Sequence, residues 1–249
     1  MNNLLAAFIF FTRLPFWRIK EVPTECFKHV VTYWSIVGWL TSGITVLTLW
    51  GCGQIMPVSL AWIIALLVRL LITGAMHEDG LADFMDGFGG GMTRDRVLVI
   101  MKDSHIGTYG VLGLIVYYCL MMQMSMIPLK TLCIFVLCGD CWSKFVASHL
   151  SNLLPYARKE EESKAKMSHT RMSLIELVIS FIGGILPIIL LLPYKYYFVM
   201  LSPVIVFILL YMLIKRRIQG YTGDCCGAVF LMCELSFYLS CLVLWRLYL

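Results

Sequence analysis

The chain has 249 residues, of which 60% are hydrophobic and 14% are charged, and its mean hydropathy is +0.83. Soluble domains are about 45–50% apolar and about 25% charged, so the composition excludes a soluble globular enzyme, a disordered regulator and a basic nucleic-acid-binding domain. Despite the net charge of +5, we expect no nucleic-acid partner. The sequence predicts an all-α, polytopic integral membrane bundle, formed by a single transmembrane domain over residues 1–249 in contact with the lipid bilayer.

About seven apolar stretches approach the ~20 residues that a spanning helix requires. The apolar segment 1–17 is too short to be one of them and is interrupted by Arg13 and Pro15, which predicts an interfacial or half-inserted helix and no cleaved signal peptide. The stretch 29–68 has no Asp, Glu, Lys or Arg and is too long for one span, so glycines and Pro57 are expected to divide it. The predicted spans are 30–50, 55–76, 109–128, 131–150, 174–193, 196–214 and 226–247.

Basic residues indicate how these spans are oriented. If the N-terminus is cytoplasmic, fifteen of the 20 Lys and Arg residues fall in segments on the cytoplasmic side and three on the other. Such a bias follows the positive-inside rule. We therefore expect a cytoplasmic N-terminus and a multi-pass location in the cell inner (cytoplasmic) membrane. The charge block from Arg158 to Lys166 is then predicted to be a solvated cytoplasmic loop.

An acidic and glycine-rich segment follows the second predicted span. Asp79, Asp83 and Asp86 have the spacing i, i+4, i+7, which places them on one face of a helix. Their mutual repulsion is unfavourable unless a cation binds, and Mg²⁺ typically binds one or two carboxylates together with water and substrate phosphate. We predict Mg²⁺, for which Mn²⁺ can substitute, bound by these residues and Glu78, within a cytoplasmic catalytic loop at about 77–108. A solvated acidic loop is the alternative.

Two further polar segments are predicted to lie on the same side of the membrane. Lys102 is a candidate phosphate contact and Asp103 a candidate carboxylate of the site, although a charged helix end explains them equally well. Thr222 and Asp224 stand in the glycine-bracketed segment 220–228 that precedes the last span. Together with the first acidic segment, these residues predict a composite site.

Four ionisable residues lie within the predicted spans, where exposure to lipid would cost each a few kcal/mol. Arg69, Asp140, Lys144 and Glu234 are therefore expected to face the bundle interior or a cavity open to the cytoplasm. Asp140 and Lys144 are spaced i, i+4 and can neutralise each other. Pairing for structural reasons alone is the alternative.

These motifs resemble those of cobalamin synthase, the adenosylcobinamide-GDP ribazoletransferase family. The family pattern HxDGLADxxDG matches at His77, Asp79, Gly80, Leu81, Ala82, Asp83, Asp86 and Gly87. Further matching pieces are Thr12–Pro15, Arg94–Arg96, Lys102–Gly107, Tyr156–Arg158 and Thr222–Ala228. Two departures are His105, where the family usually has Arg, and Gln219, where it has Gly.

The resemblance implies a Mg²⁺-dependent phosphotransferase that acts late in cobalamin biosynthesis. It would join α-ribazole, or its 5′-phosphate, to adenosylcobinamide-GDP and release GMP, giving adenosylcobalamin or its 5′-phosphate. Asp103 and Asp224 are the candidate catalytic residues. The candidate substrate-binding residues are Arg13, Arg69, Arg94, Arg96, Lys102, Ser104, Asp140 and Thr222, with the corrinoid expected near Arg69 and Asp140. The alternatives are another CDP-alcohol-type membrane phosphotransferase and a transporter of divalent cations or anions. The sequence is also compatible with an oligomer.

Overall fold

The computed structural model describes residues 2–158 and 170–248, so most of the predicted loop from Arg158 to Lys166 lies outside the described residues. The described residues form helices joined by short connections, and they contain no β-strand. The α-helices are α1 (Asn2–Phe11), α2 (Trp34–Gly53), α3 (Val58–Thr73), α4 (Met76–Gly90), α5 (Arg94–Ile100), α6 (Thr108–Met122), α7 (Leu129–Ser148), α8 (Leu150–Leu153), α9 (Leu174–Leu191), α10 (Leu201–Ile218) and α11 (Gly223–Leu247). Short 3₁₀ segments are Phe16–Arg18, Thr24–Tyr33, Gln123–Met126 and Tyr194–Met200.

Six helical segments within the described residues are long and apolar enough to cross a membrane. They are Thr24–Gly53, Thr108–Met126, Leu129–Leu153, Leu174–Leu191, Tyr194–Ile218 and Gly223–Leu247. The pair formed by α3 and α4 makes a seventh if it is counted as one broken span. This architecture confirms the predicted all-α, multi-pass bundle of about seven spans, while the cytoplasmic N-terminus stays a prediction.

The α3–α4 pair differs most from the sequence-based expectation. With 16 residues, α3 is about 24 Å long, which is shorter than the roughly 30 Å hydrocarbon core. Gly74 (φ 65°) and Ala75 (φ 55°) both adopt the left-handed conformation, and α4 leaves α3 at an angle of 89°. The acidic segment begins as a helix, as the spacing of its aspartates predicted, and this helix packs against α11 within the bundle.

α7 and α11 form the centre of the bundle. α2 packs against α3 and α7, while α11 packs against α4, α7 and α10. Small residues allow this close packing, since Gly139 of α7 lies directly against the ring of Tyr238. The outward faces of α9 and α10 are apolar, as expected of surfaces that contact lipid. Exposed examples are Leu174, Ile175, Ile182, Ile189, Leu190, Ile205 and Leu209.

The predicted N-terminal helix is present as α1. Its Ala6, Ala7 and Phe11 are buried against the 3₁₀ segment Thr24–Tyr33 and α2, while Trp17 and Ile19 beyond it are exposed. The N-terminal segment is thus part of the bundle, and it ends beside the α3–α4 bend.

Gln219 ends α10 in the left-handed conformation (φ 57°), at the position where the resemblance predicts glycine. A non-glycine residue pays about 1–2 kcal/mol for this conformation, so we expect Gln219→Gly to stabilise the protein by about 1 kcal/mol. The apparent melting temperature in detergent should rise. Gly74→Ala is the opposite change at a residue with positive φ, and it should lower the melting temperature. Alanine is strained in this conformation, and its Cβ would collide with the Arg13 side chain. A lower melting temperature for Gln219→Gly would contradict this interpretation.

Candidate active site

A cavity of about 560 Å³ lies where the end of α1, the α3–α4 bend and the beginning of α11 meet. The ionisable residues that line it include Arg13, His77, Asp79, Arg158 and Asp224. Apolar and aromatic residues that line it include Phe10, Phe11, Val31, Trp34, Tyr156 and Tyr221. The cavity therefore combines opposite charges with an aromatic surface.

Two glycines let α4 and α11 cross closely beside this cavity. A Cβ on Gly80 would lie 3.0 Å from the carbonyl oxygen of Asp224 and 3.1 Å from its Cα. A Cβ on Gly227 would lie 3.2 Å from the Cα of His77. The crossing places Asp79 and Asp224, which come from the two acidic segments, in the wall of one cavity, as the sequence predicted for a composite site.

We expect Gly80→Ala to reduce activity at least tenfold, because the added methyl group would push α4 away from the Asp224 backbone and change the spacing of the two carboxylates. The activity measured is the transfer reaction proposed below. Gly43→Ala on α2 is a matched control, since its Cβ would meet no atom of the described residues within 4 Å. Full activity of Gly80→Ala would show that this crossing distance does not matter.

Thr222 and its neighbours hold the beginning of α11 in place. The Thr222 hydroxyl is buried and accepts a hydrogen bond from the backbone N–H of Cys225 (3.3 Å), which caps the helix. The backbone N–H of Tyr221 donates to the carbonyl of Pro155 (2.9 Å), and the carbonyl of Tyr221 accepts a hydrogen bond from the backbone N–H of Ala157 (2.8 Å). These bonds bring Arg158 to the cavity. The structure therefore gives Thr222 a capping role, and its contact with substrate stays a prediction.

Arg13 lies at the α3–α4 bend. Its backbone N–H donates to the carbonyl of Ile72 (2.6 Å), and its side chain covers Gly74, where a Cβ would collide with it. The same side chain lines the cavity. Of the basic residues predicted to bind substrate, Arg13 is the one that lines the same cavity as Asp79 and Asp224.

The four acids predicted as metal ligands face different surroundings. Asp86 accepts backbone hydrogen bonds from Gly107 (2.7 Å) and Gly110 (2.9 Å), so it anchors the loop before α6. Glu78 is buried and lies 3.6 Å from the guanidinium of Arg69. Within the described residues, no three His, Cys, Asp or Glu side chains are grouped to hold a metal ion. Asp79 and Asp83 lie one turn apart on α4, and of these two Asp79 lines the cavity.

The other predicted basic residues do not line the cavity. Arg94 donates to the carbonyls of Ile218 (3.0 Å) and Ala157 (2.8 Å) and thereby ties α5 to the end of α10. Arg96 and Lys102 are exposed. The hydrogen bonds of Arg94 thus stabilise the packing of α5 against the end of α10.

Asp103 and Ser104 are exposed in the connection between α5 and α6 and lie outside the cavity lining. The ring Nδ1 of His105 lies 2.7 Å from the Asp103 carboxylate, and the His105 backbone N–H donates to the same oxygen (3.0 Å). These hydrogen bonds lower the pKa of Asp103 from its ordinary value, the contact with the His105 side chain contributing most. A low pKa makes Asp103 a poorer proton acceptor than an ordinary carboxylate.

The intramembrane ionisable residues are paired. Arg69 binds both carboxylate oxygens of Glu234 (2.7 and 2.8 Å), and Lys144 lies 2.5 Å from Asp140, as predicted from their spacing. All four residues are at most 5% exposed, and none of them lines the cavity. The charges of Arg69 and Asp140 are thus neutralised inside the bundle, and the expectation that the corrinoid binds near them stays a prediction.

Comparison with known proteins identifies the family. The family model for cobalamin-5-phosphate synthase matches residues 3–242. The chain belongs to this family.

Curated relatives of this cobalamin-5-phosphate synthase family cover nearly the whole chain. The adenosylcobinamide-GDP ribazoletransferase of Leptospira interrogans is 32% identical over 98% of this chain and 96% of its own length. The protein of that name from Shewanella pealeana is 34% identical over 98% of this chain and 96% of its own length. The one from Shewanella frigidimarina is 33% identical over 96% of this chain and 93% of its own length. No solved structure matches. The resemblance found in the sequence is confirmed.

In this member of the cobalamin-5-phosphate synthase family, sequence reasoning overlooked two groups of cavity residues. The charge pattern predicts a solvated loop that begins at Arg158, although the Tyr156–Arg158 piece of the family resemblance points to this residue. Hydropathy predicts Phe11 as part of the N-terminal segment and Trp34 as part of a membrane helix. Hydropathy alone does not distinguish an aromatic residue that lines a cavity from one that packs in a bundle.

Proposed function

We propose that this cavity is the active site of an adenosylcobinamide-GDP ribazoletransferase, which joins α-ribazole or its 5′-phosphate to adenosylcobinamide-GDP and releases GMP. The observation that carries the proposal is that Asp79 and Asp224, from the two acidic family motifs, line one cavity together with Arg13 and Arg158. Phosphoryl transfer depends mainly on positioning and on neutralising charge, and this set of side chains can supply both.

In the proposed reaction, the oxygen of a secondary ribose hydroxyl, which both α-ribazole and its 5′-phosphate carry, forms a bond to the phosphorus attached to cobinamide. The bond from that phosphorus to the bridging oxygen breaks, and GMP leaves with this oxygen. Arg13 and Arg158, which line the cavity, would bind the diphosphate. Asp224 is the better candidate to accept the hydroxyl proton, since Asp103 lies outside the cavity lining and is bound by His105.

The acids of α4 fit a magnesium ion of the kind that keeps several water ligands. Glu78 is paired with Arg69, and Asp86 is occupied by two backbone N–H groups. Asp79 lines the cavity and Asp83 lies one turn further along α4, and these two residues would hold the ion. The pair suits Mg²⁺ because this ion commonly takes one or two carboxylates plus substrate phosphate. When bound, Mg²⁺ would neutralise charge on the transferred phosphate. The charge distribution supports a site on the cytoplasmic side of the inner membrane.

The test is turnover by the purified chain in proteoliposomes with adenosylcobinamide-GDP, α-ribazole and Mg²⁺. We expect stoichiometric GMP and an α-ribazole-containing corrinoid product, and neither when chelator is present. The absence of both products from folded protein would overturn the proposal. Release of CMP from a CDP-alcohol in a parallel reaction would instead assign a different phosphotransferase activity.

A further inference from the structure

α5 lies at the level where α10 ends. Arg94 of α5 donates a hydrogen bond to the carbonyl of Ile218, the last residue of α10 (3.0 Å). In the other direction, Arg217 of α10 donates to the carbonyl of Gly91, just before α5. α10 is part of a helical segment that is long and apolar enough to cross a membrane, so its end marks where the chain leaves the hydrocarbon core. These bonds therefore place α5 at the membrane–water interface.

The chain around α5 exposes large apolar side chains, although it lies between the candidate spanning segments. Met92 is 89% exposed, Val99 58% and Ile106 55%. At the interface, such side chains are covered by the boundary between lipid headgroups and acyl chains, as they are in interfacial helices. The segment 92–106 therefore presents apolar groups that are suited to contact with lipid.

Exposed basic residues stand on both helices close to these hydrogen bonds. They form the α5–α10 basic surface, which consists of Arg96, Lys102, Lys215 and Arg216. All four lie within about two helical turns of Arg94 or Ile218 along the chain, and none forms an ion pair with another described residue. Of the acids nearby, Asp95 lies 3.4 Å from Arg94. Asp103 lies 2.7 Å from the ring of His105. Four cations beside two acids leave an excess of positive charge.

α5 also supports a residue of the cavity. The guanidinium of Arg158 donates to the carbonyl of Leu98 on α5 (3.0 Å). Arg94 donates to the carbonyl of Ala157, the residue before Arg158 (2.8 Å). Arg158 lines the cavity. A displacement of α5 would therefore move a cation of the cavity wall.

We propose that the α5–α10 basic surface binds the headgroups of anionic phospholipids, and that this contact keeps α5 in the position that supports Arg158. Anionic headgroups complement the four cations, while the acyl chains cover Met92 and Val99. A soluble nucleotide would match the charge but would leave these apolar side chains in water, so a lipid is the better occupant. The lipid contact does not depend on the proposed function, because it rests on the surface of α5 and α10 alone.

Thermal unfolding of the full chain in a neutral detergent tests the binding. Phosphatidylglycerol and phosphatidylcholine with the same acyl chains are the two probes. Phosphatidylglycerol should raise the melting temperature of the wild type more than phosphatidylcholine does, because a ligand that binds the folded state stabilises it. The double variant Arg96→Gln/Arg216→Gln should require at least tenfold more phosphatidylglycerol for the same rise, since each cation contributes roughly fivefold to the affinity.

Lys130→Gln/Arg246→Gln is the charge-matched control. Both residues are exposed, and they lie at the beginning of α7 and near the end of α11, outside the cavity lining. This variant should respond to phosphatidylglycerol as the wild type does. Equal effects of the two lipids on the wild type, or a wild-type response of Arg96→Gln/Arg216→Gln, would overturn the proposal. A rise caused by GDP and lost in Arg96→Gln/Arg216→Gln would assign the surface to a nucleotide and so overturn the lipid assignment.

Hydrogen–deuterium exchange tests the link from the lipid to the cavity without turnover. In the wild type, phosphatidylglycerol should slow exchange in the peptides that cover α5 and residues 156–158, since a helix held on its lipid side opens less often. Arg96→Gln/Arg216→Gln should lose this protection, and Lys130→Gln/Arg246→Gln should keep it. Unchanged exchange in either wild-type peptide would overturn the link to Arg158. A failure of the transferase assay is a separate result, because neither experiment uses adenosylcobinamide-GDP.

Discussion

Replacing Asp79 with asparagine is expected to lower the rate of GMP release at least 100-fold. The substitution keeps the shape of the side chain but removes the negative charge from the cavity wall, where the proposed Mg²⁺ and the diphosphate meet. Removing one group that stabilises a transition-state charge commonly costs 10²–10³ in rate. Asp224→Asn should have an effect of similar size, because it removes the proposed proton acceptor. Initial rates in proteoliposomes at saturating substrate concentrations measure both effects.

Asp95→Asn is the matched control for these variants. Asp95 lies on α5, its side chain is 89% exposed, and it does not line the cavity. Its rate should stay within twofold of that of the wild type. If Asp79→Asn retained more than a tenth of the wild-type rate, Asp79 would not belong to the reaction centre.

Arg69→Met is expected to destabilise the fold more than any surface substitution. Arg69 joins α3 to Glu234 of α11, to Glu78 of α4 and, through a 3.2 Å hydrogen bond, to the Tyr117 hydroxyl of α6. Removing it leaves two buried carboxylates without their cation. Breaking a buried ion pair in this way costs about 3–5 kcal/mol. Thermal unfolding in detergent should show a large decrease in the melting temperature, or the yield of folded protein should fall sharply.

Two further variants identify the cause of this loss. Glu25→Gln breaks the exposed ion pair with Lys28 (2.9 Å) and should change the melting temperature little. The double variant Arg69→Met/Glu234→Leu should recover part of the lost stability, because it removes the carboxylate that Arg69 neutralises. A melting temperature of Arg69→Met equal to that of the wild type would show that the pair does not hold the helices together.

The sequence was sufficient to locate most of the spanning helices and the two acidic segments. Runs of apolar residues determine where helices can cross a bilayer, and the spans at α7, α9 and α11 agree closely with the predicted ranges. The exception is α3, which ends at a left-handed pair and turns by 89°. Hydropathy counts residues along the chain and carries no information about such a turn.

Individual roles within the site were harder to predict. Helical spacing correctly puts Asp79, Asp83 and Asp86 on one side of α4, but it does not show what each side chain meets. Asp86 contacts backbone N–H groups 21 and 24 residues away, and Arg94 contacts a carbonyl 124 residues away. Partners so distant in the chain become visible only when the helices are packed. The functional assignment of such residues therefore requires the structure.

Binding of Mn²⁺ to the purified protein in the presence of adenosylcobinamide-GDP, measured by electron paramagnetic resonance, tests the proposed site most directly. We expect a bound ion in the wild type and in Asp95→Asn, and its loss in Asp79→Asn and in Asp83→Asn. Bound Mn²⁺ of unchanged affinity in both Asp79→Asn and Asp83→Asn would show instead that α4 does not provide the metal ligands.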